Sequence, residues 1–259
     1  QGYSSAASDV YKRQPFDNVG LRLRASYKSI FRMPTFNESY FFHYGSTTLK
    51  PENTDQLNIG LTWEAPSLTW LPSATLTVDG YYNHVKDKIV AVPYNMFVWT
   101  VVNLEKVRMM GCDVTLSTTF APCRGHDIIL TGNYSYQRSQ PRTSKESPDY
   151  NKQVAYTPLN SGSITLSYEN PWVSLAVNGV GVSSRYTTND NNPATHISGY
   201  FYCGCSAYRN FSFHGHEMEV RADLINMLDK QYFVVARYPM PGRSWQLTLC
   251  LLYTSDAAD

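Results

Sequence analysis

Residues 217–249 read EMEVRADLINMLDKQYFVVARYPMPGRSWQLTL, and this stretch decides the fold. Met218, Val220, Ala222 and Leu224 alternate with Glu217, Glu219, Arg221 and Asp223. Successive strand side chains point to opposite faces, so the run is a strand with one oily and one charged face. A loop from Asp229 to Gly242 leads to a second alternating run. There Trp245, Leu247 and Leu249 oppose Ser244, Gln246 and Thr248.

Working outward, the same period-2 pattern recurs at 19–28, 57–64, 74–84, 110–120, 127–137, 161–169, 172–182 and, less cleanly, 199–211. Leu57, Ile59, Leu61 and Trp63, for instance, oppose Asn58, Gly60, Thr62 and Glu64. No stretch of comparable length has a helical period. Alternation alone also fits a soluble β-sandwich. Three features favour a transmembrane barrel. The strands reach the roughly ten residues that a tilted strand needs to cross a bilayer. Aromatics gather at strand ends on the apolar face: Tyr27, Trp63, Tyr82, Phe120, Tyr134, Tyr136, Tyr168, Phe211 and Trp245. Amphipathic rings favour the membrane–water interface. Connections also alternate, short around 65–73, 122–126, 170–171 and 214–216, long at 31–53, 88–107, 138–155, 185–197 and 228–242. Outer-membrane barrels pair short periplasmic turns with long extracellular loops.

Composition agrees. The 259 residues include 20 Tyr, 11 Phe and 5 Trp, and the formal net charge is +1. A near-neutral chain offers no basic surface for nucleic acid. No apolar run approaches a membrane-spanning helix. Cys203 and Cys205 lie two apart on one strand face, poor geometry for a disulfide, and read as small apolar residues.

Two segments carry a family resemblance. NMLDKQY with YPMPGRSWQLTL resembles the closing signature of TonB-dependent outer-membrane receptors, on Asn226, Leu228, Tyr232, Pro241, Gly242 and Arg243. IFRMPTFNESYFFHYGSTTLKPENTDQLNIG resembles the same family's Phe-Arg-x-Pro-Thr segment, on Phe31, Arg32, Pro34, Thr35, Glu38, Tyr40, Leu49, Pro51 and Glu52. The resemblance implies an all-β fold: an antiparallel transmembrane β-barrel fragment, about ten strands of a plugged 22-strand barrel.

The ends read differently. SSAASDVYKRQ at 4–14 and CLLYTSDAAD at 250–259 are encoded by opposite strands of one DNA string, which resembles a sequencing-library adapter. Residues 1–14 and 250–259 are therefore expected to be foreign tails that pack poorly, and 15–249 to be the C-terminal portion of the receptor barrel.

The resemblance implies an outer-membrane active transporter of a Gram-negative bacterium. It would take up a scarce ligand: an iron-siderophore, haem or cobalamin. Implied partners are outer-membrane lipid, a plug domain of the same chain, the TonB–ExbB–ExbD complex acting through an N-terminal box, and the metal chelate or cobalamin. No enzyme, cofactor or metal centre is implied; no nucleophile elbow, P-loop or paired-carboxylate motif occurs. The alternatives are a passive porin-like or enzymatic outer-membrane barrel, and a secreted carbohydrate-binding β-sandwich. HGH at 214–216 lacks three or four converging ligands. NDNN at 189–192 lacks the glycine and terminal glutamate of an EF-hand loop. The motif residues of the first long loop serve mainly to fold it. Its tip, Tyr40, Phe41, Phe42, His43 and Tyr44, is the candidate ligand contact, because exposed aromatics at a loop tip have to pack or bind.

Overall fold

The computed structural model describes residues 7–16, 20–93, 98–142, 144–213 and 216–252. In chain order the elements are β1 (Ala7–Phe16), β2 (Leu21–Arg32), α1 (Phe36–Tyr40), β3 (Glu52–Glu64), β4 (Ser73–Pro93), β5 (Trp99–Cys123) and β6 (His126–Pro141). They continue with β7 (Asn160–Glu169), β8 (Ser174–Val182), β9 (Arg185–Tyr186), a 3-10 turn at Pro193–Thr195 and β10 (His196–Ile197). Last come β11 (Tyr200–Phe213), β12 (His216–Ile225), β13 (Phe233–Val235), β14 (Tyr238–Pro239) and β15 (Ser244–Leu252). Eleven strands form one antiparallel sheet in the order β1-β2-β3-β4-β5-β6-β7-β8-β11-β12-β15; β9–β10 and β13–β14 are small pairs inside loops. Each alternating segment of the sequence corresponds to one long strand. A single continuous sheet rules out the two facing sheets of a sandwich.

Register aligns the oily positions into rows. Leu23, Leu61, Val78, Val114 and Tyr134 are successive cross-strand partners on one face. Arg24, Gly60, Asp79, Asp113 and Ser135 run beside them on the other. The polar face satisfies part of its charge within the wall. Arg22 binds Glu64 through two hydrogen bonds of 2.7 and 2.8 Å, and Arg24 donates to Asp79 at 2.7 Å. Gly60 leaves room for the second pair, since a Cβ there would collide with the Asp79 carboxylate.

The apolar face is uncovered: Ile59 is 58% exposed, Leu166 50%, Val177 52% and Leu247 68%. The buried apolar residues among those described are Val85, Ile89, Val101, Val107, Val154 and Ile197. Val85, Val107 and Val154 form one cluster, with Val90, Leu104 and Met109 against it. Val154 belongs to the 142–159 connection, which folds back along β6: its amide donates to Ser139 O (2.9 Å), and the Asn151 amide to Pro141 O (3.0 Å).

One expectation needs correction. Residues 88–107 are not a long loop. β4 has 21 residues and β5 has 25, and they stay in register up to Pro93 opposite Trp99. At about 3.3 Å per residue such strands span roughly 70–80 Å, far beyond a bilayer. The cause is the valine-rich run on both arms, whose β-branched side chains favour the pleated conformation. Alternation is interrupted at Asp87, which has φ +53, and that break hid the continuation. Link lengths consequently do not alternate strictly: 94–98 is shorter than 65–72. The sheet also extends beyond 15–249: Ala7–Phe16 pairs with β2 along 21–29. Cys250, Leu251 and Leu252 likewise extend β15 beside β12, with Leu251 58% exposed. An exposed strand edge templates main-chain pairing whatever the partner's side chains.

Candidate ligand-binding face

All long connections lie at one end of the sheet. In the first, Thr35 caps α1: its hydroxyl accepts from the Glu38 amide (3.3 Å), and the Glu38 carboxylate accepts from the Thr35 amide (2.7 Å). This reciprocal capping box satisfies two amides that a helix start otherwise leaves unpaired. Arg32 clamps the same carboxylate at 3.0 and 3.1 Å and reaches Glu52 at 3.2 Å. Glu52 also accepts from the Ile89 amide (3.1 Å). Burial would raise the Glu38 carboxyl, but bonds from Thr35 and Arg32 outweigh it and hold the group below its ordinary value.

The tip that follows is open. Tyr40, Phe41 and Phe42 are 66%, 60% and 80% exposed. Phe36 packs on Tyr40 (5.2 Å between ring centroids), Phe42 on His43 (3.8 Å) and Phe41 edge-on to Tyr44 (6.4 Å). His43 has φ +60. Gly45 lets the chain reverse, since a Cβ there would sit 2.8 Å from backbone atoms of residues 39–41. The tall β4–β5 hairpin braces the loop: the Val101 amide donates to Tyr44 O (3.2 Å), and Asn103 bonds the Lys50 amide (2.8 Å) and carbonyl (3.1 Å). Pro34, Leu49 and Pro51 are half-buried, and Phe31 is exposed at the end of β2.

The last long loop shows what its motif does. Asn226, 1% exposed with φ +50, donates to Lys230 O and Pro241 O and accepts from the Lys230 amide. It thereby pins both ends of the loop. Asp229 accepts from the Arg243 amide (2.8 Å), and a Cβ on Gly242 would lie 2.6 Å from that carboxylate. Tyr232 stacks on Tyr200 and Tyr202 at 4.4 and 5.3 Å, whereas Leu228 is 62% exposed.

Sequence reading missed Arg185. It is 4% exposed, donates to Phe233 O (2.9 Å) and Val234 O (2.7 Å), and lies over the Tyr200 ring. It ties the last loop to the preceding one. Between them lie two adjoining cavities of about 410 and 510 Å³. Trp99, Tyr156 and Tyr238 line the first, Lys230, Tyr232 and Phe233 the second, and His196 and Arg237 both. Among the described residues no carboxylate lines either. A lone arginine in an otherwise uncharged stretch was the available signal. Asn103 had none, because its partner is 53 residues away.

A family model described as TonB dependent receptor-like, beta-barrel, matches residues 1–226. The chain belongs to the TonB-dependent receptors. It is 22% identical over 232 residues to the vitamin B12 transporter BtuB of Photobacterium profundum, covering 88% of this chain and 35% of that protein. It is 28% identical over 85 residues, 32% of this chain and 13% of the relative, to BtuB of Vibrio vulnificus. Its fold is similar to that of the siderophore receptor PiuA from Acinetobacter baumannii. There the TM-score is 0.68 at 15% identity, over 94% of this chain and 35% of the other. The ferric preacinetobactin receptor BauA of the same organism gives 0.66 at 15%, over 94% and 36%. The chain thus spans about a third of the relatives it matches most fully. Its open sheet is a wall segment of a Gram-negative outer-membrane TonB-dependent receptor barrel. In barrels of this kind apolar rows face lipid, polar rows face the lumen, and long connections lie outside the cell.

Proposed function

We propose that this wall belongs to a receptor for active uptake of a scarce ligand: an iron-siderophore, haem or cobalamin. A plug domain of the same chain and the TonB–ExbB–ExbD complex would complete the cycle. The observation that carries the reading is the construction of the extracellular end. Its loops are braced, aromatic-rich and turned toward one another, and the 142–159 connection folds onto the lumen-side rows through Val154. A passive pore needs an open mouth, so this inward folding favours a gated receptor over a porin.

The ligand would meet Tyr40, Phe41, Phe42, His43 and Tyr44 and the cleft beside Arg237 and Lys230. A cleft lined by cations and by no carboxylate suits an anionic ferric chelate. Two relatives matched by sequence are named for vitamin B12, so cobalamin is the other arm of the test. The full-length receptor is titrated with cyanocobalamin and with ferric chelates, as wild type and with Tyr40, Phe41 and Phe42 replaced together by Ala. Aromatic anchors cost about 2 kcal/mol or more when truncated, so affinity is expected to fall more than tenfold with barrel assembly intact. Unchanged affinity in the triple variant, with loss in Lys230→Gln/Arg237→Gln, would move the site into the cleft. No binding of either ligand class would reject the reading.

A further inference from the structure

The polar face of the wall, the lumen side in such barrels, divides into two sectors. Over β2–β4 its charges pair with one another: Arg22 with Glu64, Arg24 with Asp79, and Arg32 with Glu38 and Glu52. Over β6–β8 it is uncharged. Thr131, Asn133 and Ser135 on β6 are opposite Thr165, Ser163 and Ser161 on β7. The polar-face positions of β8, every second residue from Ser174 to Val182, carry no charge either. Such a surface offers many hydrogen bonds and no fixed ion.

The cleft between the last loops leads onto this sector. Tyr232 lines its second cavity. The same ring stacks on Tyr200 and Tyr202, which lie 6.3 Å from each other on the polar face of β11. Tyr202 in turn lines a third cavity, of about 630 Å³, on the polar face of β8, β11 and β12. One ring stack therefore borders both spaces. Beyond Tyr202 the polar-face positions of β11 are Gly204, Ser206 and Tyr208. At Gly204 a Cβ would lie 2.8 Å from Leu224 O and 2.9 Å from Asn178 Oδ1, so the cavity floor there is bare backbone. Tyr208 stands roughly 20 Å along the strand from Tyr202. Its hydroxyl donates to Glu169 (3.1 Å), and Arg221 lies over its ring at 5.9 Å. Asp223 pairs with that arginine (3.0 Å).

We propose that this inner cavity is a second ligand station, occupied after capture outside and during passage along β8, β11 and β12. The inference rests on the uptake function proposed above and assigns it one side of the barrel. Rings at both ends of a bare floor fit a ligand with a flat conjugated face, as catecholate, porphyrin and corrin chelates have, because each ring offers offset stacking. The hydroxyls and amides alongside exchange hydrogen bonds with water at small net free energy, so the station holds a ligand and lets it go. Passage over β2–β4 would instead desolvate a row of ion pairs.

The test uses the full-length receptor in energised Gram-negative cells, with radiolabelled ferric tris-catecholate and cyanocobalamin as probes. A photo-crosslinking side chain introduced as Ser206→benzoylphenylalanine is expected to capture label during uptake and to capture none once the proton gradient is collapsed. Gln56→benzoylphenylalanine, on the polar face of β3, is expected to capture none in either state. Tyr208→Ala is expected to slow uptake about tenfold at an unchanged half-saturating probe concentration. Tyr208→Phe, which keeps the ring, should restore the rate. Equal capture at both positions, no capture at Ser206 while the receptor takes up the probe, or a wild-type rate in Tyr208→Ala would each overturn the station and leave the receptor reading standing. Uptake of neither probe by the wild type would reject the receptor reading and the station with it.

Discussion

The lipid-facing wall and the valine cluster at the lumen mouth are built from the same residue types in opposite circumstances. On the wall, Ile59, Leu166 and Val177 are more or less half exposed, and bilayer chains complete their burial. At the mouth, Val85 and Val107 are 1% and 0% exposed, because Val154 returns from a loop to cover them. One region is finished by solvent and the other by protein. Hydrophobicity therefore does not say which residues are packed; only the second region has a fixed partner whose shape has to match.

The sharpest way to break that contrast is charge. Leu130 and Thr131 are adjacent on β6 and face lipid and lumen. Leu130→Arg is expected to destabilise the full receptor in lipid vesicles by about 2–4 kcal/mol, and Thr131→Arg by little. Equal losses would mean that the faces are misassigned. Size gives the next effect. Val107→Phe overfills a packed cluster and should cost about 1–3 kcal/mol, whereas Leu116→Phe points into fluid lipid and should be near neutral. Denaturant titration of both variants in vesicles decides it, and a penalty for Leu116→Phe would show that protein covers the wall there.

Smaller effects concern how the loops are tied down. Thr35→Ala removes half of the capping box and should loosen 35–46 by about 1 kcal/mol, read as faster amide exchange with the strands unchanged. Exchange spreading into β2 and β3 would make the loop part of the wall's stability. The weakest effect is pH. Glu38 titrates below its ordinary value, so its stabilisation is complete above that value and is lost as pH falls through the lowered one. Loop protection should hold from neutrality to about pH 5 and decline below about pH 4. A midpoint near pH 6 would point to a histidine instead.

Much of this was legible in the chain. Period-2 alternation located every long strand from 19 to 249, because a strand half in lipid and half in water must repeat every second residue. The closing motif placed Asn226 and Gly242, whose roles are local: one pins a loop and the other leaves space for Asp229. The height of β4 and β5 was illegible, since pairing above the membrane needs no alternation, and Asp87 broke the pattern where it mattered. Pairing of Ala7–Phe16 was illegible too, because main-chain hydrogen bonds ignore side chains. The candidate site divides in the same way. Exposed aromatics at 40–44 stand out in the sequence, while Arg185 and the cleft beside it depend on residues brought together from 99, 156, 196 and 237. The sequence by itself determined the strands, their faces and the solvent each face demands, since these follow from side-chain order along one strand. The tertiary structure alone decided which loops touch, which charges find partners and which valines are covered, since those depend on contacts between distant segments.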